Sequence, residues 1–596
     1  MNDRTKTGLE ILQIAGLVGL LGNILLRQMP WGLNAFLFVA AFVTALLMLT
    51  YRRRPELLTK NTLALAGAMV FFASMFLVRD AEELLVFDTL AILVIMGVLV
   101  LANFDVRAHV AGVAHYAAGF IWSGLTSVFG PIALLVGDID WSGMPGNKFS
   151  RNAFSVVRGV AIALPLVLIF GGLFMAADAA FEGLVNRAVN FEIDTVISHV
   201  VVTIIFAWLT AGYFRGAIVP AIVTVPGAAG TVPNNEATGE SVVAKVADAV
   251  EDPVVLPDNA TIVEHINRSD PPNAETAEPK KKRDWQNFDS SAIPNVFTLG
   301  TVETVIILGL VDLLFLAFVA LQVPYLFGGM ELVQNTPDFK LADYARRGFG
   351  ELVAVAALVL PMLLASHWLL RRDGGRAEKI FKILAGIQIA LLFVIMASAA
   401  QRLLLLTGAL GYGLTTIRFY PMIVMIWLAV VFVWFGATVL RGSRNHFAWG
   451  ALWSAILIFA ATNLMNPHAF IVRRNVDLMQ QGREFDSWYN RSLSDDAIPA
   501  LVEGFSSMNS DDRCYVASTL KQRLLDLEED RDLRSWSWPR SHAIDLLRSE
   551  PGMTSQSAVA DLCKVLAPPL IQPPPIVEAR PEAPPPPPAP AARTPR

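Results

Sequence analysis

Cysteine is nearly absent from this 596-residue sequence: Cys514 and Cys563 are the only two, and neither stands in a CxxC or another metal-ligand spacing. Redox chemistry and a cysteine-held metal centre therefore have little to build on. Charge is scarce as well, at 17% of residues, with 47 basic and 52 acidic side chains and a formal net charge of -5. So weak and balanced a field excludes a general electrostatic attraction to nucleic acid. The eight histidines include His109 and His115, six apart and without the carboxylate or cysteine company that a metal site needs. Gly408, Gly411 and Gly413 follow no strand and precede no lysine, so they do not form a phosphate-cradling loop; they are expected to shape a turn between two spans. No GxSxG elbow, Ser/His/Asp set or Cys/His pair occurs in the polar regions. Neither a catalytic set nor a cofactor is thus expected.

Long apolar runs are what the chain has instead. Hydrophobic residues make up 54% of it, above the roughly 45 to 50% of soluble proteins. Runs near 20 residues recur through the first 465 positions, each long enough to cross about 30 Å of hydrocarbon as a helix. Such runs can close their backbone hydrogen bonds in lipid only as helices, so an all-α polytopic transmembrane bundle is expected. About eleven spans are counted: 11–26, 31–51, 62–78, 84–101, 156–176, 195–213, 301–323, 352–370, 381–400, 419–440 and 447–465. The stretch 111–136 is interrupted by His115, Ser123, Ser127, Pro131 and several glycines, and reads as an interfacial or re-entrant segment. Residues 1–215 then form the first half of the bundle and 295–466 the second.

Orientation follows from the excess of Lys and Arg in loops that stay in the cytoplasm. With Arg4 and Lys6 inside, Arg52 to Arg54, Lys60, Arg107, Lys280 to Arg283, Arg371, Arg372 and Arg441 also fall inside. An odd number of spans then puts the C-terminal region outside, in the periplasm or beyond, with the chain in a bacterial inner membrane. A crossing at 111–136 would invert everything after it and carry the Lys280 to Arg283 run outward. Residues 216–294 are rich in Pro, Ala, Glu, Asp and Thr without apolar periodicity, and read as a disordered cytoplasmic loop. Their basic run either anchors topology or attracts anionic lipid.

Beyond Asn466 the sequence turns polar. Residues 467–565 carry three helical signatures and are expected to form a small extramembrane helical domain. One begins at Ser494-Asp495-Asp496 with Pro499 in its first turn, another at Ser510-Asp511-Asp512, and a third runs from Pro539 to Arg548. A proline-rich tail, 566–596, reads as an extended spacer. With the tail outside, Cys514 and Cys563 either pair as a disulfide or remain small core residues.

Charge inside a bilayer is costly, which draws attention to Asp312 in the middle of the seventh span and Glu303 near its inner end. Asp312 either binds a proton or cation in transport or is a hydrogen-bonded packing carboxyl. A second group gathers by topology on the outer side: Tyr344, Arg346, Arg347, Glu351, Arg402 and Arg418. Outer arginines run against the positive-inside bias. They suit an anion or anionic head group, or else an internal ion-pair network. Asn463 and Asn466 read as helix glue or as a cap at the exit of the last span. Asp80, Glu82 and Glu83 would be the acids of a membrane-embedded transferase, without supporting context.

Several stretches carry a family likeness: LFGGMEL, YARRGFGELVAVAAL, SAAQRLLLLTGALGYGLTTIRFY, NPHAFIVRRN, WYNRSLSDDAIPAL and LRSWSWPRS. Together they resemble the bacterial multi-spanning membrane proteins grouped as domains of unknown function, of the DUF4173/DUF4153 type. The resemblance covers roughly 156–547, apart from the polar loop. It implies an inner-membrane protein with a helical C-terminal portion and transfers no activity. It draws attention to Tyr344, Arg346, Phe349, Glu351, Arg402, Arg418, Asn466, Pro467, Arg474 and Asn475. Transport or lipid and anion handling is the leading functional reading, in contact with the lipid bilayer and unidentified protein partners. The alternative is a non-catalytic sensor or assembly scaffold that presents the C-terminal domain.

Overall fold

A computed structural model describes residues 2–104, 106–141, 193–220, 299–327, 349–370, 375–404, 407, 413–442, 446–529 and 532–564. Among these residues the chain is helical, with no strand beyond an isolated bridge between Leu299 and Leu370. Five helices come first: α1 (Asp3–Leu26), α2 (Leu33–Arg53), α3 (Lys60–Val78), α4 (Glu82–Val100) and α5 (Val113–Ala133). After them stand α6 (Ile193–Ile218), α7 (Thr301–Phe327), α8 (Phe349–Leu369), α9 (Arg376–Leu404), α10 (Thr416–Thr438) and α11 (Phe447–Met465). Eleven helices among the described residues are long and apolar enough to cross a bilayer, and the chain is a multi-pass membrane protein. That eleven includes Val113–Asp138, whereas the expected span 156–176 lies outside the described residues.

Ion pairs mark the end of the bundle that carries the N-terminus, here the basal end. Glu10 of α1 holds Arg52, at 2.7 Å, and Arg53 at the end of α2. Asp138 joins Arg4 of α1 at 2.8 Å to Arg215 of α6 at 2.6 Å. The strands of sequence that leave α4, α6, α8 and α10 all emerge at this end. Asn103 binds the carbonyls of Gly216 and Val219, and Leu299, just before α7, donates to the Leu369 carbonyl at the end of α8.

Helix α5 departs from the up-and-down pattern. Its Phe120 lies against Gly97 of α4, its Gly130 against Gly212 of α6, and Ile139 just beyond it against Gly8 of α1. His109, before it, contacts Asn61 at the start of α3; Asp140, after it, donates to the Thr5 hydroxyl. Both flanks of α5 thus meet first turns, those of α3 and α1. The buried side of α5 is small and polar, with Gly119, Ser123, Thr126 and Gly130 following a near-fourfold spacing, so that backbones can meet closely. A Cβ on Gly212 would collide with the backbone carbonyls of Thr126 and Ser127, which explains why glycine stands there. The other side of α5 exposes Ile121, Phe129 and Ile132, followed by Val136 just beyond its end.

Two apolar cores fill the bundle. One joins α1 to α6 around Phe42, Phe72, Tyr213 and Phe214; the other joins α7 to α10 around Phe381, Phe432 and Phe435. Helix α11 belongs to both, with Ile456 in the first and Phe447 in the second. Leucines such as Leu17, Leu310, Leu313 and Leu314 remain exposed on the outer flanks, as lipid-facing positions require.

At the opposite, apical end sit α12 (Pro467–Gln480), α13 (Ser487–Ser492), α14 (Ile498–Gly504), α15 (Ser510–Glu529), α16 (Trp538–Ser549), α17 (Pro551–Thr554) and α18 (Gln556–Cys563). Asn466 ends α11 in the left-handed region, at φ 55°, and its side chain caps α12 by accepting from the Ala469 amide. Pro467 follows as the first helical residue, where a missing N–H costs nothing. The domain's core, including Ile471, Leu501, Val516 and Leu547, runs without a break into Ala81, Leu84 and Phe419 of the bundle. Cys514 on α15 and Cys563 on α18 are joined in a disulfide, with Cα atoms 4.9 Å apart.

Candidate functional site

Among the buried charges of the described residues, those at two places differ in kind. The first is the junction between the bundle and the C-terminal domain. Arg79 closes α3 and turns its guanidinium onto the end of α11, donating to the carbonyls of Asn463 and Leu464, the latter at 3.2 Å. The final carbonyls of a helix have no partner within it and carry partial negative charge, so a cation belongs there. The same guanidinium stands 3.5 Å from Asp496, whose other oxygen accepts from the backbone amides of Asp80, at 2.6 Å, and Ala81. Asp80 in turn pairs with Arg540 of α16 at 2.7 Å.

Around this pair of salt bridges lie further polar contacts. His468 approaches Glu83 at 3.3 Å and Ser494 at 2.8 Å; Asp495 pairs with Arg523 at 3.1 Å; Asn463 donates to Asp88 at 2.7 Å. Burial pushes the Asp80 carboxyl up to about 7, against the pull of Arg540 and with added repulsion from Asp495 and Asp496. Burial raises Asp496 too, opposed by the Asp80 amide and Arg79. At the inner edge of the network, the second oxygen of Asp88, the side-chain amide oxygen of Asn463 and the hydroxyl of Tyr420 are buried without a hydrogen-bond partner among the described residues.

A neighbouring clasp uses Asn475 of α12. Its side chain both accepts from the Leu414 amide at 2.7 Å and donates to the Leu414 carbonyl at 3.0 Å, and it donates also to Asn490. Gly413 stands beside it at φ 71°, a conformation that side chains disfavour. Arg418 donates to the Gly413 carbonyl at 2.6 Å.

The second place is inside the second half of the bundle. Asp312 of α7 is 7% exposed and neither of its carboxylate oxygens has a hydrogen-bond partner among the described residues; Gln388 of α9 is fully buried and its amide is equally unpartnered among them. Both helices start at the basal end. At ~1.5 Å of rise per residue, Asp312 stands about 17 Å along α7 and Gln388 about 18 Å along α9, each near the middle of its own helix. The helices that carry them pack through one core, which includes Leu308, Phe315, Ala385 and Leu392.

The residues singled out in the sequence are thus distributed unevenly. Glu303 is exposed in the first turn of α7, far from Asp312. Glu351 is exposed in the first turn of α8, Arg402 is buried in the last turn of α9, and Arg418 serves the Gly413 turn. Tyr344, Arg346 and Arg347 lie outside the described residues. No group of three or more His, Cys, Asp or Glu side chains among the described residues is arranged to hold a metal ion. The Arg79–Asp496–Asp80–Arg540 network was not legible in the sequence; the one local signal was an arginine placed directly after an apolar run with acids close behind.

The chain belongs to the family described as a domain of unknown function (DUF4153), which it matches over residues 65–242 and 265–504. The match begins well before position 156, taking in most of α3 and all of α4 and α5, and ends before the LRSWSWPRS stretch. Both Asp312 and most of the junction network fall within it; Arg540 does not. No curated protein and no solved structure matches the chain.

Proposed function

We propose that this protein moves a proton or small cation across the bacterial inner membrane through its second helical half, with Asp312 as the binding carboxylate and Gln388 beside its path. The observation that carries this reading is the pair of mid-helix polar groups left without partners. An unpaired polar group in an apolar interior costs several kcal/mol or neutralises itself. A packing carboxyl would be expected to find a donor, as Asp88 finds Asn463. A site that loads and releases a cation must instead leave its ligands free between turnovers.

The accompanying orientation has the N-terminus in the cytoplasm and the C-terminal domain outside. Basic residues at the basal end support it, since Arg4, Arg52, Arg53, Arg54 and Arg215 all cluster there. The disulfide of the apical domain supports it independently, because such bonds persist in oxidising compartments. In this arrangement α5 lies along the inner membrane face, its apolar side in lipid, and does not cross.

A specific observation also favours the scaffold reading. The C-terminal domain is fused to the bundle by a buried charge network, as a platform for a partner would need. Flux measurements separate the two. In proteoliposomes loaded with a pH-sensitive or sodium-sensitive dye, an imposed membrane potential should drive uptake by the wild type. Asp312→Asn should reduce it at least about tenfold, the scale of a lost charge-assisted contact. Absence of flux in the folded wild type would reject transport and leave the scaffold.

A further inference from the structure

A cavity of about 600 Å³ opens where the C-terminal domain meets the α1–α2 hairpin, between the end of α15, the start of α16 and Pro30. Its position along the membrane normal is fixed by hydrogen bonds to the ends of two spans. Leu33, first residue of α2, donates to the Trp536 carbonyl at 2.9 Å, and Arg534 donates to the Ile24 carbonyl in the last turn of α1 at 2.9 Å. The segment 533–538 therefore lies at the level where hydrocarbon gives way to water. Its composition fits that level: Leu533 is 77% exposed, Trp538 50% and Trp536 40%, beside exposed Met29 and Trp31. Tryptophans concentrate at this depth, with the ring in the apolar layer and the N–H toward water. Lipid, and no aqueous solute, is the most abundant neighbour of such a mouth.

The interior discriminates among head groups. Four carboxylates line it, Asp526, Glu528, Asp532 and Asp545, against two arginines. Those arginines are already engaged, Arg540 with Asp80 and Arg548 with Glu528, each at 2.7 Å. Asp532 is held by Arg534 at 2.6 Å, whereas Asp545 meets no cation among the described residues. A second, independent feature points inward. Ser537 lines the cavity, is only 1% exposed, and its hydroxyl has no hydrogen-bond partner among the described residues. Leaving such a hydroxyl unpaired costs about 1 to 3 kcal/mol unless a ligand satisfies it.

We propose that this cavity binds the head group of a zwitterionic aminophospholipid from the outer leaflet. The primary ammonium would face Asp545 and the neighbouring carboxylates, the polar linkage Ser537, and the acyl chains Leu533 and Trp536. An anionic head group is disfavoured by the excess of carboxylates, and a quaternary ammonium offers no N–H to donate. The site is independent of Asp312 and stands whether or not the protein transports an ion.

The test is native mass spectrometry of the full-length protein released from nanodiscs containing equal parts phosphatidylethanolamine, phosphatidylcholine and phosphatidylglycerol. The wild type should retain phosphatidylethanolamine in preference to both others. Asp545→Asn and Ser537→Ala should each lower that retention about fivefold, the scale of one lost hydrogen bond or ion contact. Melting temperature and an intact disulfide report that both variants are folded, and Asp545 is exposed on α16, so its substitution leaves the core untouched. Equal retention of phosphatidylglycerol, or unchanged retention in the folded double variant, overturns the proposal. So does displacement of the lipid by free ethanolamine at matched concentration, which would make the site a receptor for soluble amines.

Discussion

The junction and the interior of the second helical half both bury carboxylates, yet they treat them oppositely. At the junction Asp496 receives two backbone amides and faces Arg79, and Asp80 faces Arg540. Within α7, Asp312 receives nothing from the described residues, and Gln388 of α9 receives nothing from them either. Desolvation penalises a buried ion in both places. Only at the junction is that penalty opposed by partners held in fixed geometry, and a carboxyl so occupied has little capacity left for a ligand. The contrast assigns the junction to architecture and leaves Asp312 available for chemistry.

The sharpest way to break that comparison is to remove one buried charged group from each site. Arg79→Met should destabilise the protein by about 3 to 5 kcal/mol, because it strips Asp496 of its cation and two α11 carbonyls of their donor. Asp312→Leu should do the reverse, leaving stability unchanged or raising it by about 1 to 3 kcal/mol, since no hydrogen bond is lost and a buried polar group is removed. Thermal melting of the two variants in one detergent checks both. Equal destabilisation would mean that Asp312 is structurally engaged and would undo its assignment to transport.

A smaller effect is expected from the disulfide. It closes a separation of 49 residues between α15 and α18, and its loss should cost the C-terminal domain about 2 to 4 kcal/mol. Cys514→Ser with Cys563→Ser should therefore expose α15 to limited proteolysis while leaving the bundle's helices protected. Parallel loss of protection in α3 and α4 would show instead that domain and bundle unfold as one unit through the shared core.

Much of this architecture could be read from local sequence, because its causes are local. A run of some 20 apolar residues must be a helix in lipid, and Asp312 stood out because it interrupts one. The helices that begin near Asp495, Ser510 and Trp538 were announced by acids, serines and prolines at their first turns. Asn466 as a cap followed from its place between an apolar run and Pro467. The junction network was hidden for the opposite reason. Arg79 and Asp496 are 417 positions apart and Asp80 and Arg540 are 460 apart, and no periodicity records such pairings. The same limit applies to the outer arginines: topology grouped them on one side, but Arg418 turns back to the Gly413 carbonyl five residues away. Shared sidedness says nothing about where a guanidinium points.

The gentlest probe of the junction is pH. Burial holds the Asp80 carboxyl near 7, well above its ordinary value of about 4 in an unfolded chain. Between those two values the folded junction binds a proton that the undocked segment does not. The stabilisation is therefore complete below about pH 4 and is lost as pH rises through 7. Hydrogen exchange of the segment around Asp80 and Ala81, corrected for intrinsic rates, should show greater protection at pH 5.5 than at pH 8. Asp80→Asn, neutral at both, should flatten that difference while keeping the protected level. Protection that instead grows with pH would mean that the Arg540 and Arg79 pairings dominate burial, and that the ionised form of Asp80 is the one the fold prefers.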